Sequence, residues 1–192
     1  MGEYFDLAFF LDKEKAEIEL AKRQLLKILD IPEGKSVISK HKYSLFENKE
    51  VLTLFYDFEG NNYAQYHVCL SDLVFTKKNI DTKLTQLLQV VDDCLSNVES
   101  TLFATGIYEL TFHYIEGINY IKDFNQKVFK KFPLVFLKQG KNYGLTPKQR
   151  YKNISYILNL NKNVQNIFAN PISELMEDYG MSFEEAKEKA KW

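Results

Sequence analysis

Residues 51–70 read VLTLFYDFEGNNYAQYHVCL. Two runs rich in aromatic and β-branched residues flank Gly60-Asn61-Asn62, a pattern that predicts two strands joined by a turn. In the first run Leu52, Leu54, Tyr56 and Phe58 alternate, which predicts one apolar face. Towards the N-terminus, residues 37–46 form a similar run, separated from the first by Glu47-Asn48-Lys49-Glu50, a connection of hairpin length. Three consecutive antiparallel strands are therefore expected, the third continuing towards Phe75.

The segments on either side add helices and further strands. Residues 4–11 are apolar and aromatic and predict a buried strand. Asp12 is placed to cap a helix reaching about Leu29, in which Ile18, Ala21, Leu25, Ile28 and Leu29 recur at helical spacing until Pro32-Glu33-Gly34 stops it. Residues 81–98 carry the clearest helical stripe: Leu84, Leu87, Leu88, Val91, Cys94, Leu95 and Val98, with Lys83, Gln86, Asp92 and Asp93 on the opposite face. Residues 102–115 alternate, with Tyr108, Leu110, Phe112 and Tyr114 on one side and Glu109, Thr111 and His113 on the other, so a long strand is expected. A helix over 120–131, ended by Pro133, and a short strand over 134–137 follow.

Beyond Gly140, Thr146-Pro147 predicts the start of a helix running to about Leu160. Pro171 predicts a second helix ended by Gly180, and Ser182 with Glu185 has the spacing of a capping box for a third. The order β-α-β-β-β-α-β-α-β implies an α+β fold: a mainly antiparallel sheet with helices on one face and a C-terminal helical appendage. Residues 1–140 are expected to form the α+β domain, and 141–192 a helical extension packed on it.

Composition excludes several classes. A chain of 192 residues with 45% hydrophobic and 27% charged residues is ordinary for a globular domain. Its length allows it to bury roughly two-thirds of its unfolded surface. The 8 Gly and 4 Pro exclude low-complexity and collagen-like sequence. The two cysteines, Cys69 and Cys94, form no CxxC pair and are expected to be small buried hydrophobes. No basic segment precedes the short apolar run 7–11, and no stretch approaches a membrane span, so a soluble cytoplasmic protein is expected.

Charge is distributed unevenly. Ten basic residues between Lys122 and Lys162 against the single acid Asp123 give that segment +9, leaving −10 for the rest of a chain whose net charge is −1. Phe124, Phe129, Phe132, Tyr143, Tyr151 and Tyr156 are interleaved with the lysines. Such a surface suits an anionic partner. The plain alternative makes the aromatics the core side of an amphipathic segment and the lysines its solvated side. Lys130, Lys131, Lys138, Lys141, Lys148, Arg150 and Lys152 are the expected partner-binding residues. A single Arg among the ten weighs against base recognition, which favours the guanidinium fork.

Local motifs for chemistry are few. His41, His67 and His113 all fall on expected strands, and Asp57, His67, Glu109 and His113 are candidates for a shared polar sheet face on which a carboxylate orients a general base. Alternating polar residues on any solvent-facing sheet would look the same. No histidine pair has close ligand spacing, and no GxSxG, GxxxxGK[ST] or GxGxxG occurs, so neither a metal nor a nucleotide cofactor is expected. The expected helices over 172–179 and 183–191 have the outline of a helix-turn-helix. Glu184 and Glu185, however, would open the recognition helix where phosphates are met, so a structural helical pair is expected.

Three functions are compatible with these residues. The first is a non-enzymatic module that binds a partner protein with an acidic surface, in the manner in which bacterial immunity proteins neutralise toxins. That comparison rests on size and the lack of a catalytic motif, with no sequence resemblance. The second is nucleic-acid binding through residues 122–162. The third is a hydrolase or transferase with its site on the histidine-bearing sheet face.

Overall fold

The computed structural model describes residues 4–15, 17–73, 75, 78–108, 110–158, 180–182, 184, 185 and 188. Strand β1 (Tyr4–Asp12) is buried without a break from Phe5 to Leu11, because both of its faces are covered. Helix α1 (Ile18–Leu29), strands β2 (Lys35–Ile38), β3 (Lys49–Tyr56) and β4 (Tyr63–Ser71), and helix α2 (Ile80–Asn97) follow. Then come β5 (Thr101–Ile107), the short α3 (Gln126–Phe129), β6 (Leu134–Lys138), β7 (Gln149–Tyr151) and β8 (Ile154–Leu158). The eight described strands form one antiparallel sheet in the order β2-β3-β4-β1-β5-β6-β8-β7, so the fold is α+β. No helix among the described residues is long and apolar enough to cross a membrane.

The pleat divides the core in two. Phe5, Leu7, Phe9 and Leu11 meet the buried stripes of α1 and α2 on the helix face. Leu87, Leu88, Val91, Cys94 and Leu95 of the expected α2 stripe are all buried. On the far face Ala8 and Phe10 pack with Phe103, Val135 and Leu137 beneath a cover that includes Phe124, Phe129 and Phe132. Gly106 of β5 belongs to the close packing of β1: a Cβ there would lie 2.7 Å from the ring of Phe5.

Several elements differ from expectation. Helix α1 starts at Ile18, after Glu17, and Asp12 does not cap it. Asp12 ends β1, and its Oδ1 accepts from the Glu14 amide at 2.9 Å. The strand expected over 37–46 is only β2, followed by a 3-10 turn, Ser44–Phe46. His41 lies in the intervening loop, its Nδ1 accepting from the Tyr43 amide, and not on a strand. The expected strand 102–115 stops at Ile107, and Thr111–Tyr114 is a 3-10 turn. There the chain leaves the sheet and folds over the far face, with the Thr111 amide donating to Asp6 Oδ2 at 2.7 Å.

The helix expected over 120–131 is a 3-10 turn, Ile121–Asp123, followed by the four residues of α3. Asn125 separates them because its side chain accepts from the Lys127 and Val128 amides, a cap that restarts the helix.

The helix expected over 146–160 is replaced by the β7–β8 hairpin, which extends the sheet past β6. Lys152 takes the left-handed conformation at its turn (φ 45°). The Asn153 amide donates to Asp92 Oδ1 at 3.0 Å and Tyr151 Oη to Gln89 Oε1 at 2.9 Å, tying the hairpin to α2. Asp92, expected on the solvent face of that helix, is for this reason only 4% exposed.

Of the C-terminal expectations, the capping box is present: Ser182 N and Oγ donate to Glu185 Oε2 at 2.9 and 2.7 Å. The helix expected over 172–179 lies outside the described residues, as does most of the segment after Glu185.

Candidate functional site

From Tyr4 to Leu11, β1 is an apolar run broken by one carboxylate, Asp6, and β4 carries Gln65, His67 and Cys69 on the same far face. In the register Asp6 faces Cys69 and Ala8 faces His67. The methyl of Ala8 leaves the imidazole space to lean diagonally, and His67 Nδ1 lies 3.0 Å from both Asp6 oxygens. Nε2 lies 3.0 Å from Gln65 Oε1. Asp6 also accepts from the Thr111 amide and, at 3.6 Å, from Cys69 Sγ. The carboxyl group is thus surrounded by hydrogen-bond partners, as a buried polar group requires.

The four residues expected to share a polar face are not assembled. His67 is fully buried with both nitrogens engaged, so the ring meets no solvent. His113 is exposed on the 3-10 turn, not on a strand. Asp57 lies just past the end of β3 and pairs with Lys13. Glu109 lies outside the described residues. Asp6, Gln65 and Thr111 were not singled out from the sequence; an isolated acid inside an otherwise apolar strand was the available signal.

Both thiols are buried, and burial pushes each above its ordinary range; Asp6 adds to the effect at Cys69 and Asp93 at Cys94. No group of three or more His, Cys, Asp or Glu side chains among the described residues is placed to hold a metal ion.

The basic segment divides into two kinds of cation. Lys138 Nζ donates to the Val98 and Glu99 carbonyls at the C-terminus of α2, where a positive charge complements the helix dipole. Its partial burial holds its ammonium below the usual lysine range. Lys131 donates to the Tyr114 carbonyl and Lys152 to Gln89 Oε1. By contrast, the side chains of Lys130, Lys141, Lys148 and Arg150 are exposed and bond to no described residue.

Lys130 and Lys148 line a groove of about 430 Å3 between α3 and β8, with Phe129, Leu145, Tyr156 and Ile157 supplying apolar wall. No carboxylate is among its described lining residues. Arg150 lies on the adjoining edge strand β7. A second cleft, of about 510 Å3, lies over the far face beside the 3-10 turn and is bordered by Glu59, His113 and Glu116.

No protein-family model matches the chain, and neither a curated protein nor a solved structure matches it.

Proposed function

We propose that the chain is a non-enzymatic binding module whose basic groove receives an acidic stretch of a partner protein. The observation that carries this reading is the convergence of Lys130 and Lys148 on a groove of mixed polar and apolar wall whose described lining contains no carboxylate. Protein interfaces combine apolar and polar contacts, and like-signed charges beside them speed and select the encounter. Neutralising a partner by occlusion, as immunity proteins do, would need no chemistry from this chain.

The test is fluorescence anisotropy of the full chain with a labelled Asp/Glu-rich peptide and, separately, a labelled oligothymidylate of equal charge. Tighter binding of the peptide, weakened at least about tenfold by Lys130→Gln with Lys148→Gln and by rising salt, is expected. Tighter binding of the oligonucleotide, with a steep log–log salt slope, would replace the protein partner by nucleic acid. Failure of the double variant to change either titration would remove the groove from consideration.

A further inference from the structure

The second cleft shares no described lining residue with the basic groove and has a different chemistry. Gln65 and Tyr63 reach it from β4, at 2% and 1% exposure. Tyr56, Phe58 and Phe112 supply aromatic wall, and the exposed Glu59 and Glu116 stand at its border. Neither Lys nor Arg is among its described lining residues.

Gln65 is the informative residue. Asp6 holds His67, and one end of the Gln65 amide lies 3.0 Å from His67 Nε2, so the amide group is held by a chain of two buried contacts, presenting its oxygen to a protonated Nε2 and its NH2 to an unprotonated one. The far end of the amide has no hydrogen-bond partner among the described residues. A polar group held rigidly at the base of an aromatic cleft lacks a partner that a ligand can supply. The volume is also within the usual range for small-molecule sites.

We propose that this cleft binds a flat aromatic amide whose outward end is cationic. The ligand's amide, which carries both an acceptor and a donor, would pair with the free end of the Gln65 amide, and the ring would pack on Tyr56, Phe58 and Phe112. Glu59 and Glu116 attract an outward ammonium and repel an outward carboxylate.

Titrations of the full chain followed by amide chemical shifts test this with four probes: benzamide, 4-(aminomethyl)benzamide, 4-carbamoylbenzoate and benzylamine. The amide bearing the ammonium should bind at least about tenfold more tightly than the one bearing the carboxylate, with shifts at cleft residues. Glu59→Gln with Glu116→Gln should remove that preference. Phe58→Ala, at a ring already 48% exposed, should weaken all the amides roughly two- to tenfold. Benzylamine, lacking the amide, should bind more weakly than 4-(aminomethyl)benzamide, and Gln65→Leu should erase that difference. If Gln65→Leu does not fold, the benzylamine comparison on the unmodified chain still decides the role of the amide. Equal binding of the ammonium and carboxylate probes, equal binding of benzylamine and its amide, or shifts confined to other surfaces would overturn the proposal.

Discussion

His67 Nδ1 lies 3.0 Å from both carboxylate oxygens of Asp6, although the two residues are not opposite each other in the β1–β4 ladder. The pair is diagonal, made possible by Ala8 opposite the histidine, and it joins the central strand to the turn at Thr111 through a shared carboxylate.

Asp6→Ala should therefore cost about 3–5 kcal/mol, because it strands the His67 ring and the Thr111 amide without their acceptor. Asp6→Ala combined with His67→Leu should recover a large part of that loss, since removing both partners of a buried polar pair is far less costly than removing one. Urea denaturation of the two variants measures the difference. A double variant no more stable than the single one would show that the pair is not a coupled unit.

Leu88 is 4% exposed within the α2 stripe. Leu88→Ala should destabilise by about 2–5 kcal/mol, combining lost transfer energy with a cavity between helix and sheet. A midpoint shift equivalent to less than about 0.5 kcal/mol would mean that the helix packs on another face.

What was legible in the sequence follows from where the deciding contacts lie. The two strands in 51–70 and the α2 stripe were read well, the strands from their aromatic and β-branched composition and the helix from its periodicity. The face of β3 was not: Val51 and Thr53 are buried, while Leu52, Leu54 and Tyr56 are half-buried and Phe58, past the end of the strand, is 48% exposed. The segment 149–158 was misread, because Tyr151, Ile154 and Leu158 match helical spacing as readily as strand alternation. What selects the strand is pairing with β6 and the Asn153 bond to Asp92, and both are remote in sequence. The alternation of Tyr108, Leu110, Phe112 and Tyr114 likewise runs past the end of β5, where Asp6 draws Thr111 out of the sheet. The same distance hid the candidate site: His67 was singled out, but its partner lies 61 residues earlier in a strand that reads as purely structural.

The thiols of Cys69 and Cys94 are pushed up by burial and stay protonated through the neutral range. A thiol-specific reagent at pH 8 should label neither in the native protein and both after denaturation, since the thiolate is the reacting form. Rapid native labelling of Cys69 would place it outside the core and reopen a nucleophilic role.

Burial also pushes the phenols of Tyr63, Tyr66 and Tyr143 up to about 12, from an ordinary value of 10.0. A folded-state value raised above the unfolded one gives stability that is complete below pH 10 and falls as pH rises towards 12, because the unfolded chain releases its protons first. Phenolate absorbance and circular dichroism recorded together should show these tyrosines ionising late, in step with unfolding. Ionisation of every tyrosine near pH 10 with the fold intact would contradict the burial of these three rings.

The last prediction separates the lysines that hold the fold from those that face outward. Lys138 donates to two carbonyls at the end of α2, so Lys138→Gln should lower stability by about 0.5–1.5 kcal/mol, the usual worth of such hydrogen bonds. Lys130 and Lys148 line the groove without bonding to any described side chain or carbonyl, so Lys130→Gln with Lys148→Gln should leave stability within about 0.5 kcal/mol. The acidic-peptide titration should respond in the opposite sense, weakening with the groove pair and changing little with Lys138→Gln. The contrast matters because a +9 segment tested as one block would mix the two effects, and lost stability would pass for lost binding. Denaturation midpoints and peptide affinities measured on the same preparations decide it. If Lys138→Gln weakens the peptide as much as the groove pair does, the attraction is a diffuse property of net charge and the groove is not its seat.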